Sequence, residues 1–549
     1  MTNIRTPSAI DALANEYFHA DLALSPEAAT VVGTDDADHG ALSDYSPAGV
    51  DEQRSLISGT LAKLNSLPIA DDVDRITVAA MNERLGLELE LINSGERCGE
   101  INVIASPIQG VRDIFDLMPT ETEADWDNVN RRLGVVAEAL EGYKESLRQR
   151  IASGPPIPAR QIERCAEQCE GAAGSASPFL HLVNKRPEVA ANADSARVAY
   201  GQLADFLREM ALPTAVEEDA VGRERYSLFS RHFLGADIDL DETYEWGKAE
   251  LAEIVAEQER TARELYGPGV GVREAMERLD SDPKRKLSGV DALQRWMQET
   301  ADASVAAMSE HFDIPEPLRT IECCLAPSGT GIIYYTPPTG DFSRPGRMWW
   351  SVPSGVTEFA TWKEKTTVYH EGVPGHHLQI GLTTYMRDLL NDWRRNGTAG
   401  GCWVSGHGEG WALYAEQLMA ELGYMDELGD RMGVLDSMRL RTSRVVVDLG
   451  VHLRKDAGPW GEGTWDADSA WRFLRENVAS DDAFLRFELN RYLGWPGQAP
   501  SYKIGQRIWT QLREEARAKE GANFDLKAWH NRALSIGSVG LDVLREALA

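Results

Sequence analysis

The sequence has no long hydrophobic run, few cysteines and a shortage of basic residues. Of its 549 residues, 43% are hydrophobic and 26% are charged, as in ordinary globular proteins. No stretch is apolar for long enough to suggest a membrane span, and the N-terminus lacks a basic start followed by an apolar run. We therefore expect no membrane partner and no signal peptide, and we predict a cytoplasmic location.

The six cysteines are too irregularly placed for a disulfide framework. Cys165 and Cys169 are spaced as neighbours on a helix, and Cys323 and Cys324 are adjacent. Neither pair has the spacing of a CxxC zinc site. We expect reduced thiols, most of them buried.

Acidic residues outnumber basic residues by 87 to 56, which gives a formal net charge of −31. Because nucleic acids and anionic membranes are polyanions, this charge argues against both as partners. An anionic substrate would need a local basic group, so arginines and lysines near a candidate site carry special interest.

Most of the sequence has the three- and four-residue hydrophobic spacing of helices. One such segment stops at Gly154, a second has Gly267 just beyond its end, and a third follows Tyr502. The exception is 331–353, where β-branched and aromatic runs flank a Pro/Gly/Asp turn and predict a hairpin. We predict a large, mainly α protein with an active-site cleft and this small β element beside the site.

No sequence pattern fixes the domain boundaries as clearly as the hydrophobic spacing predicts the helices. We expect an N-terminal helical region over residues 1–300 and a catalytic region over residues 301–549. Since no clean linker separates them, one continuous domain is the alternative.

The segment HEGVPGHH, His370 to His377, nearly matches the zinc-hydrolase motif H-E-x-x-H but delays the second histidine. In a regular helix, residues six apart point about 240° apart, and residues seven apart are about 10.5 Å apart along one face. Neither spacing suits a tetrahedral zinc ion with Zn–N bonds of about 2.1 Å. A regular helix therefore cannot bring His370 together with His376 or His377 at one metal.

The residues between the histidines supply a way out of this geometry. Pro374 cannot donate an N–H to the carbonyl of His370, and its ring displaces that carbonyl. Gly372 and Gly375 permit backbone angles that other residues resist. We predict a broken turn that brings His376 back towards His370, with a loop of unrelated histidines as the alternative.

A third ligand is predicted in GHGEGWALYAEQLMAEL, which indicates a helix from about Glu409. Glu409 lies among apolar residues such as Trp411 and Leu413, and a buried carboxylate needs a cation or several donors. Two histidines and one carboxylate, with a fourth position open to water, are a ligand set of catalytic zinc sites. We predict zinc bound by His370, His376 and Glu409, a set that also accepts manganese or cobalt.

The remaining polar residues of these segments can be given roles around such a metal. Glu371 would accept the proton of the attacking water and pass it to the leaving amine. Glu416 is a candidate for orienting a ligand histidine, with a solvated surface carboxylate as the alternative. His377 is either an alternative ligand or a donor to the developing oxyanion, and His407 is expected to lie in a loop.

Three motifs, YHEGVPGHHLQ, EGWALYAEQL and RYLGWPGQAPSYKIG, occur in the order found in the bacterial family known as domain of unknown function 885 (DUF885), which this sequence resembles. The preceding YYTPPTGDFSRPG also resembles that family. The resemblance implies a mainly helical, metallopeptidase-like protein, similar in layout to the gluzincin-type angiotensin-converting-enzyme and M-thirty-two carboxypeptidase group. It also implies His370 and His376 as ligands, Glu371 as the base and Glu409 as the glutamate ligand.

The third motif adds further candidates through the same resemblance. Tyr502 is similar to the tyrosine that donates a hydrogen bond to the tetrahedral oxyanion in related zinc peptidases. Arg491 and Lys503 are cations in an acidic protein and are candidates for holding a substrate carboxylate. Structural salt bridges are the alternative for both.

The aromatic residues of the predicted hairpin are candidates for the wall of a substrate pocket. They are Tyr335 and Trp350, with their neighbours Tyr334 and Trp349. Aromatic residues at such spacing belong more often to a core, which is the alternative.

Three functions are compatible with these residues. The first is a zinc-dependent hydrolase of peptide or amide bonds in short substrates, since a site enclosed by helices admits only small molecules. The second is the same site acting on a non-peptide amide of specialised metabolism. The third is a non-catalytic helical binding protein whose metal is structural or absent, which would have no use for a general base at Glu371.

Overall fold

The computed structural model describes residues 5–34, 37–326, 333–397 and 400–549. The predicted mainly α fold is confirmed. The helices before residue 270 are α1 (Ala9–Leu24), α2 (Pro26–Val32), α3 (Pro47–Leu64), α4 (Asp72–Asn93), α5 (Pro107–Asp113), α6 (Glu123–Ser153), α7 (Ala159–Ala173), α8 (Pro178–Lys185), α9 (Ala190–Phe206), α10 (Arg223–Leu234) and α11 (Leu240–Tyr266).

The second half of the chain holds the remaining helices and the strands. The helices are α12 (Val272–Ser281), α13 (Val290–Met308), α14 (Thr361–Glu371), α15 (His376–Tyr385), α16 (Asp392–Arg395), α17 (Ser405–Glu421), α18 (Leu428–His452), α19 (Ala467–Asn477), α20 (Asp482–Gly494), α21 (Ser501–Glu520), α22 (Leu526–Ser535) and α23 (Leu541–Leu548). The strands are β1 (Lys286–Ser288), β2 (Ile321–Leu325), β3 (Ile333–Thr336), β4 (Gly346–Trp350) and β5 (Glu358–Ala360).

The helix ends predicted from glycine are confirmed. Helix α6 stops directly before Gly154, and α11 stops before Gly267, whose positive φ of 91° favours glycine. Helix α11 begins at Leu240, and the carboxylate of the preceding Asp239 accepts hydrogen bonds from two backbone N–H groups of the first turn. The third predicted helix is α21, which begins at Ser501.

The predicted hairpin is also present, and it belongs to a three-stranded sheet. Strand β4 pairs antiparallel with β3, with Tyr335 opposite Met348, and parallel with β2, with Cys323 opposite Met348. Residues 331 and 332 of the predicted segment lie outside the described residues. Strands β1 and β5 form a separate antiparallel pair.

The sheet packs directly against the histidine motif. Its inner face joins α13 and α14 in one apolar cluster that includes Met348, Trp350 and Val368. The terminal methyl of Met348 comes within 3.5 Å of where a side chain at Gly372 would begin. The predicted position of the β element, beside the candidate site, is therefore confirmed.

The largest apolar core draws on both ends of the chain. It contains Ile10 and Phe18 of α1 together with Trp411 of α17 and Leu544 of α23. A second cluster is formed within α5–α9 and the segments that join them. The main core therefore does not end at residue 300, where the sequence suggests a soft boundary.

Two further expectations concern cysteines and the membrane. Every cysteine is free, and all except the partly exposed Cys324 are buried, which confirms reduced thiols. Within the described ranges, no helix combines the length and the apolar character that crossing a membrane requires.

Candidate metal centre

The turn between α14 and α15 carries the delayed histidine. Helix α14 ends at Glu371, the Val373–Pro374 peptide bond is cis, and α15 begins at His376. The backbone N–H of Gly375 donates to the carbonyl of Tyr369 at 3.1 Å. The helix is thus broken where the sequence predicts it.

Glycine is required in this turn because the chain folds back on itself. A side chain at Gly375 would begin 1.9 Å from the carbonyl oxygen of His370, a separation that no Cβ atom can adopt. With this close approach, the rings of His370 and His376 meet edge to face, with centroids 4.9 Å apart. The Trp411 indole of α17 donates a hydrogen bond to the carbonyl of Pro374 at 2.8 Å and fixes the turn.

Helix α17 begins at Ser405, one turn earlier than the sequence indicates. His407, expected in a loop, is therefore buried in the first turn of a helix. Glycine has a packing role here, because Cβ atoms at Gly410 of α17 and Gly505 of α21 would clash with the opposite backbone. Close contact between α17 and α21 explains why glycine is tolerated there despite its cost in a helix.

The predicted ligands His370, His376 and Glu409 are brought together. The Nε2 atoms of both histidines lie 3.3 Å from Oε2 of Glu409, and all ligand atoms lie within 4.8 Å of one another. In a tetrahedral site with bonds of about 2.1 Å, ligand atoms are about 3.4 Å apart. These three residues can therefore hold a metal ion, and His376 rather than His377 completes the group.

An unsatisfied polar atom also points to a missing partner. Among the described residues, the buried Oε2 of Glu409, which lies 3.3 Å from Nε2 of both histidines, has no hydrogen-bond partner. Burial would raise the pKa of Glu409, but the two adjacent imidazoles hold it well below its usual range. Burial would likewise lower the pKa of His370, yet the carboxylates of Glu409 and Glu416 raise it to about 10. A divalent cation would replace this proton-based compensation.

Glu371 lies beside the first histidine with its side chain directed into the same polar cluster. It is 6% exposed, and no hydrogen bond or ion pair to another described residue engages its carboxylate. Burial raises its pKa, while His370 and His376 oppose that rise. A carboxylate with a raised pKa and free oxygens is suited to accepting and returning a proton.

A hydrogen-bond network fixes the orientation of His370. Its Nδ1 lies 2.8 Å from Oε1 of Glu416, the contact anticipated for that residue. The other carboxylate oxygen of Glu416 accepts hydrogen bonds from the hydroxyls of Thr366 and Ser437. Such support sets the tautomer of a ligand histidine.

Tyr502 lies in the first turn of α21, close to this group. Burial and the charge of Glu409 raise the pKa of its phenol to about 12, so the hydroxyl remains a donor at neutral pH. The guanidinium of Arg444 lies over its ring, 5.2 Å from the centroid. Tyr502 is thus held at the edge of the candidate site.

His377 points away from the metal group. Its Nδ1 lies 3.0 Å from the Tyr335 hydroxyl and its Nε2 lies 3.0 Å from the carbonyl oxygen of Leu318. The close approach is possible because Gly346 leaves room for both rings. His377 and Tyr335 therefore link α15 to the sheet, and the structure gives neither a direct path to the metal group.

The two predicted carboxylate-binding cations already have partners. Arg491 donates to Glu488 at 2.9 Å and also bonds Gln498. Lys503 is 4% exposed, and its ammonium lies 2.8 Å from the Glu250 carboxylate. Both cations form the salt bridges that were the alternative, and a contact of either with substrate stays a prediction.

The predicted pocket aromatics separate by strand alternation. Trp350 is 4% exposed and packs in the apolar cluster with Met348, because both project from the inner face of β4. Trp349 faces the other way and stacks on Tyr334 with ring centroids 6.1 Å apart. Trp350 thus has a packing role. The alternation of inward and outward side chains along β4 is the sequence pattern that predicts this role.

The fold and the convergent His–His–Glu group define a mainly helical protein with a candidate metal centre. The chain belongs to the bacterial family of unknown function DUF885, which matches residues 26–548. The resemblance to that family is confirmed, whereas the resemblance to zinc peptidases stays a prediction. No protein with a curated description matches the sequence.

Two solved structures share the fold. A "putative lipoprotein" from Colwellia psychrerythraea is 21% identical, with a TM-score of 0.84 and 98% of each chain covered. A "putative lipoprotein of unknown function" from Shewanella oneidensis is 16% identical, with a TM-score of 0.75 and coverage of 98% of this chain and 99% of that one. At these identities the likeness establishes the fold alone.

Proposed function

We propose that the protein is a metal-dependent hydrolase that cleaves peptide or amide bonds in short substrates, with zinc as the metal. The observation that carries the proposal is the convergence of His370, His376 and Glu409 beside a buried carboxylate, Glu371, that no other described residue bonds. A structural metal site needs ligands but has no use for such a base. The arrangement therefore favours catalysis over a binding scaffold.

Each residue of the group has a task in this reaction. A zinc ion held by the three ligands would acidify water and polarise the scissile carbonyl. Glu371 takes the proton of the attacking water and delivers it to the leaving amine. Tyr502 donates a hydrogen bond to the oxygen that becomes negative, and Glu416 keeps His370 in one orientation. Peptides and other amides present the same carbonyl, so the proposal covers both.

The burial of the group favours small substrates. His370 and His376 are each 6% exposed, and the Glu409 side chain is 18% exposed. A folded protein or a long loop cannot reach atoms at this depth, whereas a short flexible molecule can.

The test is metal content, measured by mass spectrometry, together with hydrolysis of a short-peptide library. We expect about one zinc per chain in the native protein and in Glu371→Gln, and loss of zinc in Glu409→Ala, because three ligands define the site. Glu515→Ala, an exposed glutamate of α21, is the matched control and should keep its metal. Failure of the native protein to take up added zinc would overturn the proposal.

The location is a separate question with two lines of support. The cytoplasmic location stays a prediction, whereas the two structural relatives are described as putative lipoproteins, which favours a location outside the cytoplasm. Fractionation of native cells with an antibody to this chain distinguishes the two locations.

A further inference from the structure

Helix α18 carries four arginines, and one of them differs from the rest. Arg431 pairs with Glu257, Arg439 donates to Gln258 at 2.9 Å, and Arg444 donates to Glu488 at 2.8 Å. Arg441 has no hydrogen-bond or ion-pair partner among the described residues, and its Nε is fully buried. A buried donor without a partner is costly, so the position of this half-buried side chain needs an explanation.

The helical spacing places Arg441 at the candidate metal centre. Ser437, Arg441 and Arg444 are four and three residues apart, so they project from one face of α18. Ser437 donates to Glu416, and Arg444 covers the ring of Tyr502. Arg441 lies between them along the helix and thus faces the space between Glu416 and Tyr502.

Electrostatic effects agree with this placement. The charge of Arg441 contributes to lowering the pKa of Glu416, which burial alone would raise. It also opposes the rise in the pKa of Tyr502, which burial dominates. The guanidinium is therefore near both residues without bonding to either.

We propose that Arg441 binds the carboxylate of the substrate and directs cleavage to the amide bond next to it. The inference rests on the proposed function and deepens it, because it makes the substrate a short molecule with a carboxylate adjoining the scissile bond. A guanidinium fork matches a carboxylate with two parallel hydrogen bonds. In a protein with a net charge of −31, an anion needs such a local cation to be held.

The carboxylate that fits best is the free C-terminus of a peptide. One water is consumed: its hydroxyl bonds to the carbonyl carbon, the C–N bond breaks, the leaving nitrogen gains the proton, and the last amino acid is released. An acidic side chain beside the bond offers the same chemistry. Peptides that end in a free acid, in an amide, or in an amide next to an aspartate distinguish the two sources.

The first experiment compares kcat/KM on these peptides for the zinc-loaded native protein, Arg441→Gln and Arg441→Lys. We expect the native protein to prefer a carboxylate peptide over its matched amide by about 10- to 100-fold, as charged hydrogen bonds allow. Arg441→Gln should remove the preference, because its kcat/KM on the acid should fall to the value on the amide, and it should keep its zinc because Arg441 is not a ligand. Arg441→Lys should restore part of the preference. Arg439→Gln is the matched control and should keep it.

Two results would overturn the inference. They are equal rates of the native protein on acids and amides, and an unchanged preference in Arg441→Gln. If the unchanged preference came with a loss of zinc, Arg441 would be a counter-charge for the buried carboxylates.

A binding measurement separates this inference from the proposed function. N-acetylglycine and N-acetylglycinamide are titrated against the metal-free protein and followed by ligand-observed NMR. If no peptide is hydrolysed, tighter binding of the acid to the native protein than to Arg441→Gln still supports the carboxylate site. Identical binding of both probes overturns the site, whatever the protein does to peptides.

Discussion

Two buried charged clusters meet near α18, and they differ in how completely their polar atoms are paired. In the first, Glu488 accepts hydrogen bonds from Arg444 and Arg491 at 2.8 and 2.9 Å and from the Tyr492 hydroxyl. In the second, the metal centre, Oε2 of Glu409 lacks a hydrogen-bond partner within the described part of the chain.

The contrast indicates what each cluster is for. A buried polar atom without a partner costs about 1–3 kcal/mol, so a fold that only needed stability would pair it, as around Glu488. Single unpaired atoms occur elsewhere, for example the hydroxyl of Thr261. At the metal centre, the unpaired Oε2 of Glu409 lies 3.3 Å from Nε2 of His376, and no other described residue bonds the carboxylate of Glu371. The paired cluster is interpreted as structural and the unpaired one as a site that a ligand completes.

The largest effect should come from removing the base in the unpaired cluster. We expect Glu371→Gln to lower kcat by about 10²- to 10⁴-fold, because proton transfer by a positioned carboxylate contributes that much. The free energy of unfolding should change little, since no bond of Glu371 is lost. The measurement is kcat on the best library peptide, with bound zinc determined on the same sample. Activity within a factor of three of the native protein would remove Glu371 from the mechanism.

The opposite result is expected in the paired cluster. Glu488→Gln should lower the free energy of unfolding by about 3–5 kcal/mol, because it leaves two buried arginines without their counter-charge. Zinc per folded chain should remain unchanged. Urea denaturation with zinc analysis of the folded fraction tests both points, and a loss of zinc without a loss of stability would reverse our interpretation of the two clusters.

The same glutamate should make stability depend on pH. Burial would raise the pKa of Glu488, but Arg444 and Arg491 lower it to about 2, below the ordinary value of about 4.3. A depressed pKa stabilises the fold above the unfolded value, and this contribution of about 3 kcal/mol is lost as the pH falls from about 4.3 to about 2. Denaturation of the metal-free protein across this range should show the native protein converging on Glu488→Gln. Parallel curves would contradict the assigned pKa.

The sequence predicts the convergence of His370, His376 and Glu409 well and their surroundings poorly. His370, His376 and Glu409 follow from residue type and spacing, and the break at Pro374 follows from backbone chemistry alone. The partner of Lys503 is Glu250 on the distant helix α11, so no local pattern reveals it. The partner of Arg491 is Glu488, three residues earlier on the same helix, and that spacing is a local signal of pairing. Helix α17 begins early for a related reason, because its glycines pack against α21.

Some of the missed features did have a signal. Ser437 and Arg441 are four residues apart, so they lie on one face of a helix. Because Ser437 contacts Glu416, the same face brings Arg441 towards the candidate site. The third strand, β2, lies outside the predicted hairpin, and the adjacent Cys323 and Cys324 indicate only buried thiols. Its alternation of buried Ile321 and Cys323 is the pattern of a strand.

A smaller effect should follow from changing Glu416, the carboxylate that orients the ligand histidine His370. We expect Glu416→Gln to weaken zinc binding by about 10- to 100-fold, since partners of ligand histidines typically contribute this much. The amide can still accept a hydrogen bond from Nδ1 of His370 but no longer carries the charge. Competition with a chelator of known affinity measures the change. An unchanged affinity would mean that His370 is held by the fold alone.

The smallest effect should come from the hydrogen bond between Tyr335 and His377. Both ring nitrogens of His377 have partners, as the polar atoms around Glu488 do. Tyr335→Phe removes the hydroxyl beside Nδ1 of His377, and we expect the free energy of unfolding to fall by about 1 kcal/mol with kcat unchanged. A catalytic or substrate-binding role for this pair, as the sequence suggests, predicts the reverse, a fall in kcat at nearly constant stability. Urea denaturation and kcat, measured beside Tyr334→Phe on the outer face of the sheet, decide between them. A loss of kcat confined to Tyr335→Phe would place His377 in the reaction. A buried side chain whose polar atoms all have hydrogen-bond partners could then not be interpreted as structural on that ground.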